Sequence, residues 1–189
     1  MTQVDCIITA AGLSSRMGQW KMMLPWRDGT ILDASIKNAL QYCSRIILVT
    51  GFRADELHAR YRHTPAITLV HNPDFQQGLL TSVLAGASAV ESDYCFITHG
   101  DLPCLMPEIF SEIWSLREDG AILPHYRGTP GHPILIDSAS LRHAASHGPM
   151  TSMRNILRHG KHRCVEMKYP QIIFDIDTPD DFIRLQATR

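Results

Sequence analysis

The stretch that most constrains this chain lies close to its start. Residues 4–21 carry a short apolar run (Val4, Cys6, Ile7, Ile8), then a loop of small residues (Thr9, Ala10, Ala11, Gly12, Ser14, Ser15), then Arg16 and Lys21. Small residues let the backbone come close to a ligand, with N–H groups free to bind anionic oxygens. The two cations can then neutralise what those N–H groups cradle. The stretch reads as a polyphosphate-binding loop at the end of a buried strand. It is not a P-loop or a dinucleotide fingerprint, whose glycine spacings differ. Here Gly12 and Gly18 stand six residues apart, and Lys21 follows the second glycine by three.

Downstream, short apolar runs alternate with amphipathic ones, which predicts an α/β fold with a mainly parallel sheet. Strands are expected over residues 4–9, 45–50, 67–71, 93–98, 121–123, 134–136, 163–167 and 172–176. Helices are expected over 30–42, 54–62, from Gln77-Gly78 to about 90, 107–117, 139–145 and 152–157. A last helix opens at Thr178-Pro179-Asp180-Asp181, with Thr as N-cap, Pro at the first helical position and acids in the first turn. No repeat, low-complexity tract or linker interrupts this pattern, so residues 1–189 are expected to form one domain.

Two acidic segments fall where ligands collect in open parallel sheets, beyond the carboxyl ends of strands. Asp101 follows one strand in Gly100-Asp101-Leu102-Pro103, and Asp175 and Asp177 lie at the end of the last one. On an extended segment Asp175 and Asp177 point the same way. A carboxylate beside a polyphosphate is repelled unless a cation lies between them, which implies Mg²⁺ held by Asp101 and Asp177. Whether Asp175 joins them stays open, and Asp180 and Asp181 read as partners of the helix dipole.

Bulk properties narrow the classes. At 189 residues, 44% apolar and 20% charged, the composition is that of an ordinary globular protein. A formal net charge of −1 gives no field favouring nucleic acid or a membrane surface. The five cysteines, an odd number, form no C-x-x-C pair, and several sit in apolar runs, as free thiols do in a reducing cytoplasm. The start of the chain lacks the pattern of a signal peptide, and no run is long enough to span a bilayer. His143 and His147 have a spacing that binds zinc on a helix, but no third ligand is evident and no zinc site is read there. Met22, Met23, Pro25 and Trp26 read as packing.

The opening stretch resembles the signature Ala-Ala-Gly-x-Ser-x-Arg-Met-Gly-x-x-Lys of the MobA-like nucleotidyltransferases. Ala10, Ala11, Gly12, Ser14, Arg16, Met17, Gly18 and Lys21 match every specified position. The likeness continues in Gly78-Leu79-Leu80-Thr81-Ser82, Asp101-Leu102-Pro103, Gly131-His132-Pro133 and Ile176-Asp177-Thr178-Pro179-Asp180. It implies a Rossmann-like three-layer α/β/α fold. Ala10-Ala11 resembles the branch that makes molybdopterin cytosine dinucleotide, where the guanylyltransferase branch has Gly-Gly; Asp177 also replaces an Asn frequent in that branch. Gln19-Trp20 departs from the family's shorter side chains.

The resemblance implies Mg²⁺-dependent attack by the terminal phosphate of molybdenum-loaded molybdopterin on the α-phosphorus of CTP, releasing pyrophosphate. Lys21 is assigned to the α-phosphate and Arg16 to the β- and γ-phosphates. The nucleotide is assigned to Ala10, Ala11, Gly12, Leu13, Ser14, Ser15, Arg16, Lys21, Gly78 and Ser82, and catalysis to Lys21, Arg16 and Asp101. Ser82 either binds base or ribose or caps its helix, and His132 either lines the pterin side of the cleft or fills a turn. The rival readings are a GTP-using or sugar- or alditol-phosphate nucleotidyltransferase, and a carrier that hands the matured cofactor to a molybdoenzyme acceptor or its chaperone.

Overall fold

The first apolar run forms β1 (Asp5–Ala10), and all six of its residues are buried. It lies inside the sheet of a computed structural model that describes residues 3–146 and 152–188. In chain order there follow β2 (Pro25–Trp26), β3 (Gly29–Thr30), α1 (Ile31–Leu40), β4 (Arg45–Thr50), α2 (Ala54–Tyr61) and β5 (Ile67–His71). Then come α3 (Leu79–Ala87), β6 (Tyr94–His99), α4 (Pro107–Ser115), β7 (Ala121–Tyr126), β8 (Thr129–Pro130) and β9 (Ile134–Asp137). The chain continues through α5 (Ser138–Ser146), α6 (Met153–His159), β10 (His162–Glu166) and α7 (Pro179–Gln186).

The strands form one sheet in the order β10-β7-β9-β6-β1-β4-β5, with β8 paired to β7, while β2 and β3 make a separate hairpin. Neighbours run parallel except at β9, which is antiparallel to both β6 and β7, and at the β7–β8 hairpin. The sheet is therefore mainly parallel, as expected. Alternation along β1 divides the core. Cys6, Ile8 and Ala10 face the layer of α1, α2 and α4, where Leu32, Leu57 and Phe110 pack. Ile7 faces the layer of α3, α5 and α6, with Val83, Leu141 and Leu157. Helices on both faces complete the three layers.

The last helix carries the Thr178 cap that its sequence announces, and α1 is capped in the same way. Thr30 and Thr178 each form a capping box, with Asp33 and Asp181 as the returning carboxylates. Helix α3 is shorter than expected, ending at Ala87.

The expected strand at residues 172–176 is absent. Pro170–Ile173 is a 3-10 turn, and the expected span makes single backbone bonds to two different loops, at Ile172 and Ile176, instead of a ladder. Its apolar spacing buries Ile172 and Ile176 without building a strand. Asp177 thus sits on the loop entering α7, not at a strand exit.

Candidate active site

Beyond β1 the chain turns sharply. Ser14 has φ 58° and Gly18 φ 72°, on either side of a 3-10 turn over Ser15–Met17. The Ser14 carbonyl accepts from the Met17 N–H at 3.0 Å, and its hydroxyl accepts from the Lys21 N–H at 3.2 Å. One serine thus fixes both the turn and the place where the lysine leaves it. Gly12, Leu13, Ser15 and Arg16 are exposed along the loop. A Cβ added to Gly12 would meet nothing within 4 Å, so packing does not demand glycine there. The open backbone is free for something arriving from outside.

Ala10 and Ala11 lie beneath this loop. Ala10 is wholly buried, backbone and methyl alike, so it supports the loop from beneath and does not face the open side. The Ala11 carbonyl accepts from the Phe52 N–H at 3.0 Å. A Cβ on Gly51 would lie 2.6 Å from Phe75 and 2.8 Å from the Ala11 methyl. Through this close packing the ends of β4 and β5 and the approach to Gly78 flank the opening loop. Gly78, φ 115°, is the N-cap of α3. The helix-cap alternative for Ser82 does not hold: it is buried and accepts from Asn72 Nδ2 at 3.0 Å. Asn72 also donates to Thr81, an anchor that no sequence motif announced.

Lys21 is buried, and its Nζ donates to Asp101 Oδ2 at 2.7 Å and to Asp177 Oδ1 at 3.0 Å. The acids meet because the Ile176 N–H donates to the Asp101 carbonyl at 2.9 Å, pinning the late segment to the turn after β6. Asp175 and Asp177, one residue either side of that bond, both point inward. One carboxylate oxygen from each of Asp101, Asp175 and Asp177 lies within 4.8 Å of the others. Arg16 reaches Asp177 Oδ1 at 3.5 Å, but its side chain is mostly exposed.

The electrostatics follow from crowding three acids around one buried ammonium. Burial lowers the Lys21 pKa, but the Asp101 and Asp177 carboxylates outweigh it and hold the ammonium above the usual lysine range. Burial, the hydrogen bond with Asp177 and the Asp101 charge push Asp175 up to about 7. Asp177 is held below the usual carboxylate range, first by that hydrogen bond and then, against burial, by Lys21. The cluster therefore takes up a proton near neutral pH, which relieves its surplus negative charge. Asp101 Oδ1 is buried without a hydrogen-bond partner. Hard oxygen donors, surplus charge and an orphaned carboxylate oxygen fit a small divalent cation.

Next to the acids, His99 hydrogen-bonds Thr9 Oγ1 through Nδ1. Its ring meets the His132 ring edge to face, with centroids 4.4 Å apart. Burial and then nearby Lys21 push His99 down to about 4, and burial and His99 push His132 down to about 3, so both imidazoles are neutral. His99 stands two residues before Asp101 in the sequence, and only the fold shows that it joins the acids to His132. Trp26 packs with Met17, Ile31, Ile176 and Leu185, as its packing reading expects. His147 lies outside the described residues, so the His143–His147 pair has no geometry here. Three of the five cysteines are buried, and all five are free thiols.

Comparisons with known proteins agree with this geometry. The MobA-like NTP transferase domain matches residues 6–165. The chain is 63% identical to the molybdenum cofactor cytidylyltransferase of Escherichia coli, over 97% of this chain and 95% of that protein. It is 26% identical to a probable molybdenum cofactor guanylyltransferase of Trichormus variabilis, over 99% and 92% of the two chains. A nucleotidyl transferase structure from Methanothermobacter shares the fold, with TM-score 0.84 and 22% identity over 98% and 97% of the two chains. A loop-and-acid centre on this sheet, matched over most of the chain, places the protein in the MobA-like NTP transferase family.

Proposed function

We propose that this chain transfers CMP from CTP to molybdenum-loaded molybdopterin, forming molybdopterin cytosine dinucleotide and pyrophosphate. The observation that carries the reading is the buried Lys21 ammonium between Asp101 and Asp177, beneath a loop whose backbone is open to an anion. The near full-length likeness to a cytidylyltransferase supports CTP as the donor.

In this reaction an oxygen of the acceptor's terminal phosphate attacks the α-phosphorus. The α-phosphorus bond to the bridging oxygen breaks, and its electron pair leaves with pyrophosphate. The nucleophile is already anionic, so no side chain need remove a proton, and catalysis rests on positioning and charge neutralisation. Backbone N–H groups from Ala11 to Ser15 cradle the triphosphate. Exposed Arg16 reaches outward to the β- and γ-phosphates, and Lys21 serves the α-phosphate and its developing charge. Gly78 and Ser82 bound the nucleoside end. Asp101 and Asp177, with Asp175 beside them, would hold Mg²⁺, which when bound neutralises phosphate charge.

One domain spanning residues 1–189 carries all these parts, and a cytoplasmic setting with a molybdoenzyme or its chaperone as receiver suits the chemistry. No described helix is long and apolar enough to cross a membrane. The test is pyrophosphate release by purified protein with molybdenum-loaded molybdopterin and Mg²⁺, comparing CTP, GTP and ATP. Strong preference for CTP is expected. Preference for GTP overturns the base assignment, turnover only with a sugar or alditol phosphate overturns the acceptor, and tight cofactor binding without turnover marks a carrier.

A further inference from the structure

Two cavities border the acid centre. The larger, about 1120 Å³, runs from Trp26 along α4 to α7 and is lined by Glu108, Asp175, Asp177 and Asp181 as well as Arg27 and Arg184. The smaller, about 180 Å³, opens beside His99 and His132 at the ends of β6, β7 and β9, and α6 closes it. Its walls include Leu79, Met153 and Leu157, and its cations are Arg154 and Arg158. Among the described residues no carboxylate lines it.

Charge separates the two more sharply than size. The acceptor of the proposed reaction is an organophosphate whose other end is a pterin bearing an anionic metal-dithiolene group. A polyanion is disfavoured by a cavity whose acids outnumber its arginines and drawn to one with two cations and no acid. Both arginines are exposed, and neither forms an ion pair with a described residue. Unpaired guanidiniums beside a cavity are available to an incoming anion. Leu79 is 48% exposed at the mouth; with Met153 it offers an apolar, adaptable surface for a flat heterocycle. His132 is positioned by its backbone N–H, which donates to the Ile172 carbonyl at 2.9 Å.

We propose that this smaller cavity receives the end of the acceptor remote from the reacting phosphate, with Arg154 and Arg158 as a clamp on its anionic group. The inference rests on the proposed cytidylyl transfer. It divides the site into a nucleotide side, over the β1 loop and Gly78, and an acceptor side, between Leu79 and α6. His99 and His132 form the wall between the acids and the clamp, so an acceptor lying along them reaches both ends.

The test is the Arg154→Ala/Arg158→Ala double variant, assayed for pyrophosphate release while CTP and molybdenum-loaded molybdopterin are varied separately. The KM for the acceptor should rise at least tenfold, with the KM for CTP within twofold of wild type. The Arg154→Lys/Arg158→Lys protein should recover most of that loss, because it keeps the charge. An unchanged acceptor KM, or both KM values rising together, overturns the clamp. A measurement on wild-type protein removes dependence on folding of the variant: phenylglyoxal modification of Arg154 and Arg158, read by mass spectrometry. The acceptor alone should protect both arginines and CTP alone should not; protection by CTP alone, or none by the acceptor, overturns the proposal. Wild-type turnover without these effects sinks only the clamp, whereas absence of wild-type turnover sinks the reaction itself.

Discussion

Strand β1 has a buried charge cluster at each end, and the two are finished differently. At its start, Asp5 receives Arg45 Nε and Nη2 in a bidentate pair at 2.9 Å each. The N–H groups of Glu91 and Ser92 add bonds at 2.8 and 3.2 Å, so both Asp5 oxygens are occupied. At its far end, three carboxylates crowd one lysine, and a buried oxygen of Asp101 has no partner. The first cluster is saturated, closing the sheet where β1, β4 and the turn before β6 meet. The second has capacity to spare. Burial and charge alone do not separate a structural ion pair from a binding centre; the leftover donors and acceptors do.

The largest effect should come from opening the saturated cluster. Arg45→Ala leaves Asp5 buried without its cation, a change that costs about 3–5 kcal/mol. Urea unfolding should show that loss, while turnover per folded molecule stays near wild type. Loss of turnover at unchanged stability would reverse the roles given to the two ends.

Asp101→Asn is the opposite case. It removes a charge aimed at the reacting region and should slow pyrophosphate release about 10²–10³-fold. Stability should move little, because Lys21 keeps Asp177 as a partner while the variant removes one charge from an overcrowded cluster. A stability loss matching that of Arg45→Ala would make Asp101 a structural residue.

The ease of reading these regions from sequence differed for a physical reason. The β1 loop, its lysine and the Thr178 cap lie within spans of a few residues, where local spacing dictates conformation, and they are found where the sequence indicates. Asp101 and Asp177 were legible because each ends a recognisable segment. Their meeting depends on one backbone bond, Ile176 to Asp101, that no local pattern encodes. The same holds for Asp5 with Arg45, 40 residues apart, and for the contact of His99 with His132. Residues 172–176 misled because a short apolar run also serves a chain that merely packs across a sheet's rim. The reversal of β9 was invisible for a related reason: a buried strand has the same apolar pattern in either direction.

A smaller effect concerns the lysine. In the free protein Lys21 supplies the positive charge for Asp101 and Asp177. Lys21→Met should slow turnover yet strengthen binding of Mn²⁺ in the absence of nucleotide, about tenfold, equal to about 1.4 kcal/mol. Calorimetric titration of the free protein measures it. Weaker Mn²⁺ binding in the variant would mean that the acids need the lysine to hold their positions.

The smallest effect is the acid limb of stability. Burial raises the Asp5 pKa, but the Arg45 pair and the Glu91 and Ser92 N–H groups outweigh it, leaving Asp5 below its ordinary value of 3.8. A carboxyl with a depressed folded pKa binds more protons when unfolded, so its contribution to stability grows with pH. That contribution is complete above 3.8 and is lost as pH falls through the lowered folded value. Asp5→Asn cannot titrate, so the stability gap between wild type and this variant should be constant near neutrality and shrink as pH drops below 3.8. Urea unfolding at a series of acidic pH values reads the gap directly. A gap that stays constant to the lowest pH would mean that the Asp5 network stabilises through shape and hydrogen bonding alone, and the saturated cluster would lose its electrostatic half.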